Sequence, residues 1–117
     1  MSVNAHRLRC MFEVIDSRRW EELPGYFSID VCYERPGYVA IHGIEELMHF
    51  YREVRVIEEG RHDLWMILAE DDAAACWGRF TGRAKDGRAL DERFADVYQL
   101  VDGRVTARAT HFFRAAI

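Results

Sequence analysis

Leu8, Met11, Phe12 and Ile15 recur at helical spacing near the start of the chain, which predicts an amphipathic first helix ending near Ser17-Arg18. Trp20 to Leu23 predict a short second helical turn, stopped by Pro24-Gly25. The period then changes. Ile29, Val31 and Tyr33 alternate with Asp30, Cys32 and Glu34, the mark of a strand with one buried face, closed by Pro36-Gly37. After Gly43, the residues Ile44, Leu47, Met48, Tyr51 and Val54 return to helical spacing.

The second half of the chain reads as strand throughout. Segments near Arg61–Ala69, Ala73–Arg83, Arg88–Leu100 and Arg104–Phe113 are separated by turn signals at Glu70-Asp71-Asp72, Asp86-Gly87 and Asp102-Gly103. Helices first and a long meander afterwards predict an α+β fold with an antiparallel sheet, not a parallel α/β one.

The hairpins predict which side chains share a face. With Asp102-Gly103 as a two-residue loop, Val101 faces Arg104, Asp96 faces Ala109 and Phe94 faces His111. One face then carries Phe94, Asp96, Tyr98, Leu100, Val105, Ala107, Ala109, His111 and Phe113, and the other carries Val97, Thr106, Arg108 and Thr110. The first set is the apolar one, broken by Asp96 and His111. The same two-residue logic at Asp86-Gly87 places Trp77 opposite Asp96 and Arg79 opposite Phe94.

That setting suggests acid–base chemistry. A carboxylate walled by Trp77, Phe94 and Tyr98 loses hydration, which favours its neutral form, and could act as a general acid or donate to a developing enolate. His111 would be its proton partner. Arg79 would pull the other way, leaving Asp96 a base or a structural partner. Tyr33 is expected to point inward with Ile29 and Val31, and Arg35 offers a planar donor fork for a carboxylate or phenolate. His6, His49 and His62 lack metal-ligand spacing and receive no role.

Composition narrows the classes. A chain of 117 residues, half of them apolar, fits one domain spanning residues 1–117. The formal charge of −4 argues against nucleic acid and anionic membranes. Apolar runs are too short to cross a bilayer, and Met1 to Arg7 carry no signal-peptide stretch, so a cytoplasmic location is expected. Cys10, Cys32 and Cys76 are odd in number and scattered, which speaks against disulfides and a zinc site. Lys85, the single lysine, sits in a turn signal, a poor place for a Schiff base. No phosphate loop, dinucleotide fingerprint or nucleophile elbow is present, and neither a metal nor another cofactor is implied.

The order of elements, with Tyr33-Glu34-Arg35-Pro36-Gly37, Gly43-Ile44-Glu45-Glu46-Leu47 and the run Asp96 to Val105, resembles the NTF2-like superfamily. The similarity is to its SnoaL-like polyketide cyclase and ketosteroid isomerase branch. It implies a cystatin-like α+β barrel, in which a curved sheet wraps the N-terminal helices around a cone-shaped pocket. It also implies homodimers formed through the outer sheet face. Asp96 matches an acidic residue that stabilises the dienolate in ketosteroid isomerases, and an acidic catalytic position in limonene-epoxide-hydrolase-like relatives. Met11 stands where the isomerases have a tyrosine, Arg35 where they have the proton-moving aspartate, and Phe94 where the hydrolases have an arginine. The leading expectation is therefore a cofactor-independent isomerase, cyclase or dehydratase for an apolar small molecule, polycyclic ones included. Asp96 and His111 would be catalytic, with Tyr33, Arg35, Trp77, Arg79, Phe94 and Tyr98 contacting substrate. A non-catalytic binding protein or a homodimeric scaffold is the alternative.

Overall fold

A computed structural model describes residues 2–115. Helix α1 (Val3–Asp16) begins at Ser2, whose hydroxyl accepts from the Ala5 amide at 3.0 Å. It buries Leu8, Met11, Phe12, Val14 and Ile15. A 3₁₀ turn (Trp20–Gly25) follows, then strands β1 (Phe27–Glu34) and β2 (Ile41–His42). Helix α2 (Ile44–His49) runs on as a π-helical turn (Phe50–Val54), closed by the Arg55 amide donating to the Phe50 carbonyl at 3.0 Å. Strands β3 (Ile57–Ala69), β4 (Ala73–Ala84), β5 (Ala89–Val101) and β6 (Arg104–Phe112) complete one six-stranded sheet of order β2-β1-β6-β5-β4-β3. The sheet curls over α1 and α2 without closing, and the buried residues form one apolar cluster between the layers.

The sheet is mixed, where an antiparallel one was predicted. Strand β1 lies parallel to β6, while every other pair is antiparallel. Hairpin turns dictate direction only for neighbours in sequence, and β1 meets β6 from the far end of the chain. The β1–β6 pairing also shifts register between Phe27 and Cys32. That shift turns Ile29 out to 81% exposure while Phe27, Val31 and Tyr33 stay buried, so Ile29 does not share Tyr33's inward face as predicted.

Two local departures decide what faces inward. Between β4 and β5 the loop has three residues, Lys85-Asp86-Gly87, with the Gly87 amide donating to Ala84 at 2.9 Å and Gly87 at φ +89°. A left-handed residue after a tight turn is the usual three-residue hairpin, and glycine takes it without strain. Cys76 therefore faces Asp96, and Trp77 and Arg79 face Ala95 and Arg93. Between β5 and β6 the two-residue turn at Asp102-Gly103 forms as predicted, and Val101 pairs with Arg104. The next pairs are Leu100 with Val105, then Gln99 with Ala107, so Thr106 is one residue too many. This bulge reverses the parity of β6 beyond it. Asp96 meets Thr110, Phe94 meets Phe112, and His111 pairs with Ala95 on the outer face.

Strong curl requires strands to approach closely. A Cβ at Gly78 would collide with the Asp63 carbonyl, and one at Gly82 with the Glu59 carbonyl. Neither obstacle is a flexible side chain. Gly78→Ala is expected to lower stability by about 1–3 kcal/mol, against little change for Gly25→Ala, whose Cβ would meet nothing within 4 Å. Urea midpoints of the two variants check this.

Candidate functional site

Asp96 is fully buried at the middle of β5. Its carboxylate accepts every contact it makes. Oδ2 takes Arg108 Nε at 3.1 Å, an Arg108 terminal nitrogen at 2.8 Å and the Tyr98 hydroxyl at 2.8 Å, and Oδ1 takes the Thr110 hydroxyl at 2.7 Å. Thr110 spends its proton on Asp96, so at 2.7 Å it accepts from Tyr33, whose oxygen accepts from Arg35 at 3.0 Å. A directed chain of donors thus runs from Arg35 through Tyr33 and Thr110 to Asp96. Arg108 also donates to the Tyr51 hydroxyl at 2.8 Å. Burial works against the Arg108 charge, but Asp96 and the surrounding tyrosine oxygens outweigh it and hold the guanidinium well above its usual range.

Beside this network lies a narrow cavity walled by Ile15, Ile57, Phe80, Phe94 and Phe112. About 20 Å³ of it is open to the centre of a water-sized sphere, room for roughly one water. Arg35, Arg55 and Arg108 all line it. Each guanidinium lies against aromatic faces: Arg108 on Tyr33 and Phe12, Arg35 on Phe50 and Phe112, Arg55 on Trp20 and Tyr51, all 4.6–5.6 Å from the ring centres.

His62 completes the wall, and reading the sequence for metal spacing missed it. It stands on β3 opposite Phe80 and packs among Phe12, Phe80 and Phe94. Its ring Nδ1 lies 2.5 Å from the Asp16 carboxylate, and its backbone amide donates to the same group at 2.9 Å. Asp16 is the last residue of α1, so helix and strand position the pair together. The available signal was alternation: His62 and Leu64 continue the inward parity of β3.

The other predicted site residues divide in two. Tyr33, Arg35, Phe94, Tyr98 and Asp96 gather at or beside the cavity. Trp77, Arg79 and His111 are corrections, because the three-residue loop and the Thr106 bulge turn them to the outer face. There Arg79 pairs with Asp91, not Asp96, at 2.6 Å. Conversely, Arg108 and Thr110 were expected outside and lie buried within. Among the described residues no group of three or more His, Cys, Asp or Glu side chains could hold a metal.

Asp96→Asn keeps shape and removes the charge that balances Arg108. It is expected to cost about 3–5 kcal/mol, read as a lowered urea midpoint. Cys76 offers a pH test. Burial, then the Asp96 charge, pushes its thiol up to about 12 from an ordinary value near 9. The unfolded chain releases that proton earlier, so stability is full below the ordinary value and falls as pH rises from there towards 12. Cys76→Ala should flatten that alkaline decline. At neutral pH, thiol reagents should label the half-buried Cys10 and Cys32 in the native protein and reach Cys76 only on unfolding.

Residues 8–108 match the SnoaL-like domain family. An NTF2-like protein of unknown function from Burkholderia pseudomallei K96243 superposes with a TM-score of 0.86 at 23% identity, covering 96% of this chain and 92% of its own. A provisionally assigned SnoaL-like polyketide cyclase from Jannaschia sp. CCS1 gives 0.80 at 15% identity, covering 94% and 85%. TerC, co-crystallised with polyporic acid, gives 0.83 at 18% identity, covering 95% and 92%. No curated protein matches the sequence. With a matching family over most of its length and the same curled sheet as these structures, the chain belongs to the SnoaL-like domain family, within the NTF2-like fold.

Proposed function

We propose that this protein is a cofactor-independent acid–base enzyme for an apolar small molecule, in which His62 moves the proton. The observation that carries the reading is the 2.5 Å contact between His62 Nδ1 and Asp16 at the wall of a cavity whose other lining is apolar side chains, three arginines and the hydrogen-bonded Asp96, Thr110 and Tyr51. With Nδ1–H given to the carboxylate, Nε2 is the nitrogen left for a ligand, and Asp16 supports the charge the ring gains when it accepts a proton. A carbon acid beside a carbonyl suits such a base. The developing enolate oxygen would meet guanidinium and hydroxyl donors in a site with little water. Return of the proton at another carbon gives an isomerase, attack of the enolate on a second carbonyl a cyclase, and loss of a β-hydroxyl a dehydratase.

In this scheme Asp96 acts through others. Its carboxylate already accepts four hydrogen bonds, three of them at Oδ2, so its role in this scheme is to fix Arg108, Thr110 and Tyr98. The structural relative TerC, crystallised with polyporic acid, supports a small-molecule ligand in this fold.

A second reading, a homodimeric scaffold, rests on the outer face. Register places Met66, Trp77 and Ala95 in one row and Leu68, Ala75 and Val97 in the next. Met66, Leu68, Trp77 and Val97 are each 38–59% exposed there. Such a patch fits a second subunit. Sedimentation at two protein concentrations tests it, with a Val97→Glu variant expected to remain monomeric.

The catalytic reading is tested by deuterium exchange α to the carbonyl of bicyclic aryl ketones in D₂O, followed by NMR. The wild type should accelerate exchange, and His62→Asn should remove about 10²–10⁴ of that acceleration. Asp16→Asn should act in the same direction, by a smaller factor. Equal exchange by the wild type and His62→Asn would sink the assignment.

A further inference from the structure

Three arginines line the cavity, and the third differs from the others. Arg108 donates to Asp96 and Tyr51, and Arg35 donates to Tyr33. Arg55 is 5% exposed and its Nε is wholly buried, yet among the described residues its side chain makes no hydrogen bond and no ion pair. It lies against the faces of Trp20 and Tyr51, which attract a cation but accept no N–H in its plane. Arg35 and Arg18 add to the positive potential around it, and the opposing charge of Asp16 is already engaged by His62. Burial accordingly lowers the Arg55 pKa. A planar fork of donors held in an apolar wall, unpaired, is a poor way to stabilise a fold and a good way to receive an oxyanion.

We propose that Arg55 is the docking group for an organic monoanion, a planar carboxylate or its ionised-enol equivalent carried on an apolar ring. The fork of Arg55 takes the oxyanion, while Ile57, Phe80, Phe94 and Phe112 face the ring. Asp96 already compensates Arg108, and among the described residues no carboxylate is paired with Arg55. The open space holds about one water, so the headgroup displaces that water and a ring enters only as the aromatic side chains of the wall move apart. The inference builds on the catalytic reading by naming its substrate class, and it is tested by binding alone, without turnover.

The probes are formate, acetate, benzoate and 2-naphthoate, each against its neutral amide, titrated calorimetrically at fixed ionic strength with thermal shift as a second readout. At least one carboxylate should bind about tenfold more tightly than its amide. Arg55→Met should close that gap, and Arg55→Lys, which keeps charge but loses the fork, should narrow it. Should Arg55→Met fail to fold, the wild-type gap and Arg55→Lys still decide the matter. Equal binding of acid and amide, a gap that survives in Arg55→Met, or no carboxylate binding at all overturns the proposal. The gap is read in the wild type without turnover. Lost exchange with retained anion binding then separates failure at His62 from failure at Arg55.

Discussion

The buried pair of Asp96 and Arg108 is the constraint around which the rest of this structure is arranged. Both charges are buried, so each must be met largely by the protein, and meeting them fixes what surrounds them. Thr110 and Tyr98 supply hydroxyls, Tyr51 accepts the remaining guanidinium edge, and Tyr33 closes the circuit to Arg35. Strand β6 has to present two consecutive inward polar residues to β5, and Thr106 is the extra residue that lets it do so while keeping its tight turn. A network that meets both buried charges with hydrogen bonds specifies one packing more sharply than an apolar core of equal size.

The cavity owes its character to having two charge systems on opposite walls. On the α1–β3 side, a helix end and a strand hold Asp16 and His62 together. On the β5–β6 side, the Asp96 network holds Arg108. The curl of the sheet, permitted by Gly78 and Gly82, brings these walls within reach of one small space. Aromatic rings serve twice, as apolar lining and as seats for guanidinium groups.

Alternation and helical spacing carried most of the fold. They placed the first helix, the short turn at Trp20, the inward parity of Phe94, Asp96 and Tyr98, and the tight turn at Asp102-Gly103, because each depends on neighbours a few residues away. The site was legible only where no irregularity intervened. Trp77 and Arg79 were placed wrongly because Asp86-Gly87 reads equally well as part of a two-residue or a three-residue loop. His111 changed places with Thr110 because nothing in Val105-Thr106-Ala107 announces a bulge. The pairing of Asp16 with His62 joins residues 46 positions apart, which no local pattern reports. The parallel contact of β1 with β6 belongs to the same class.

The bulge at Thr106 acts as a spatial reading frame. Downstream of it, an odd number of residues gained or lost exchanges the lining of the cavity for the lining of the outer face, with no change in the letters of the strand. Relatives as distant as 15–23% identity are aligned by spacing as much as by residue type. A gap misplaced by one position in this hairpin would assign His111 the surroundings of Thr110, and a surface residue would inherit the role of a buried one. Transfer of site residues between members of this family is therefore sound only where the bulge itself has been matched first.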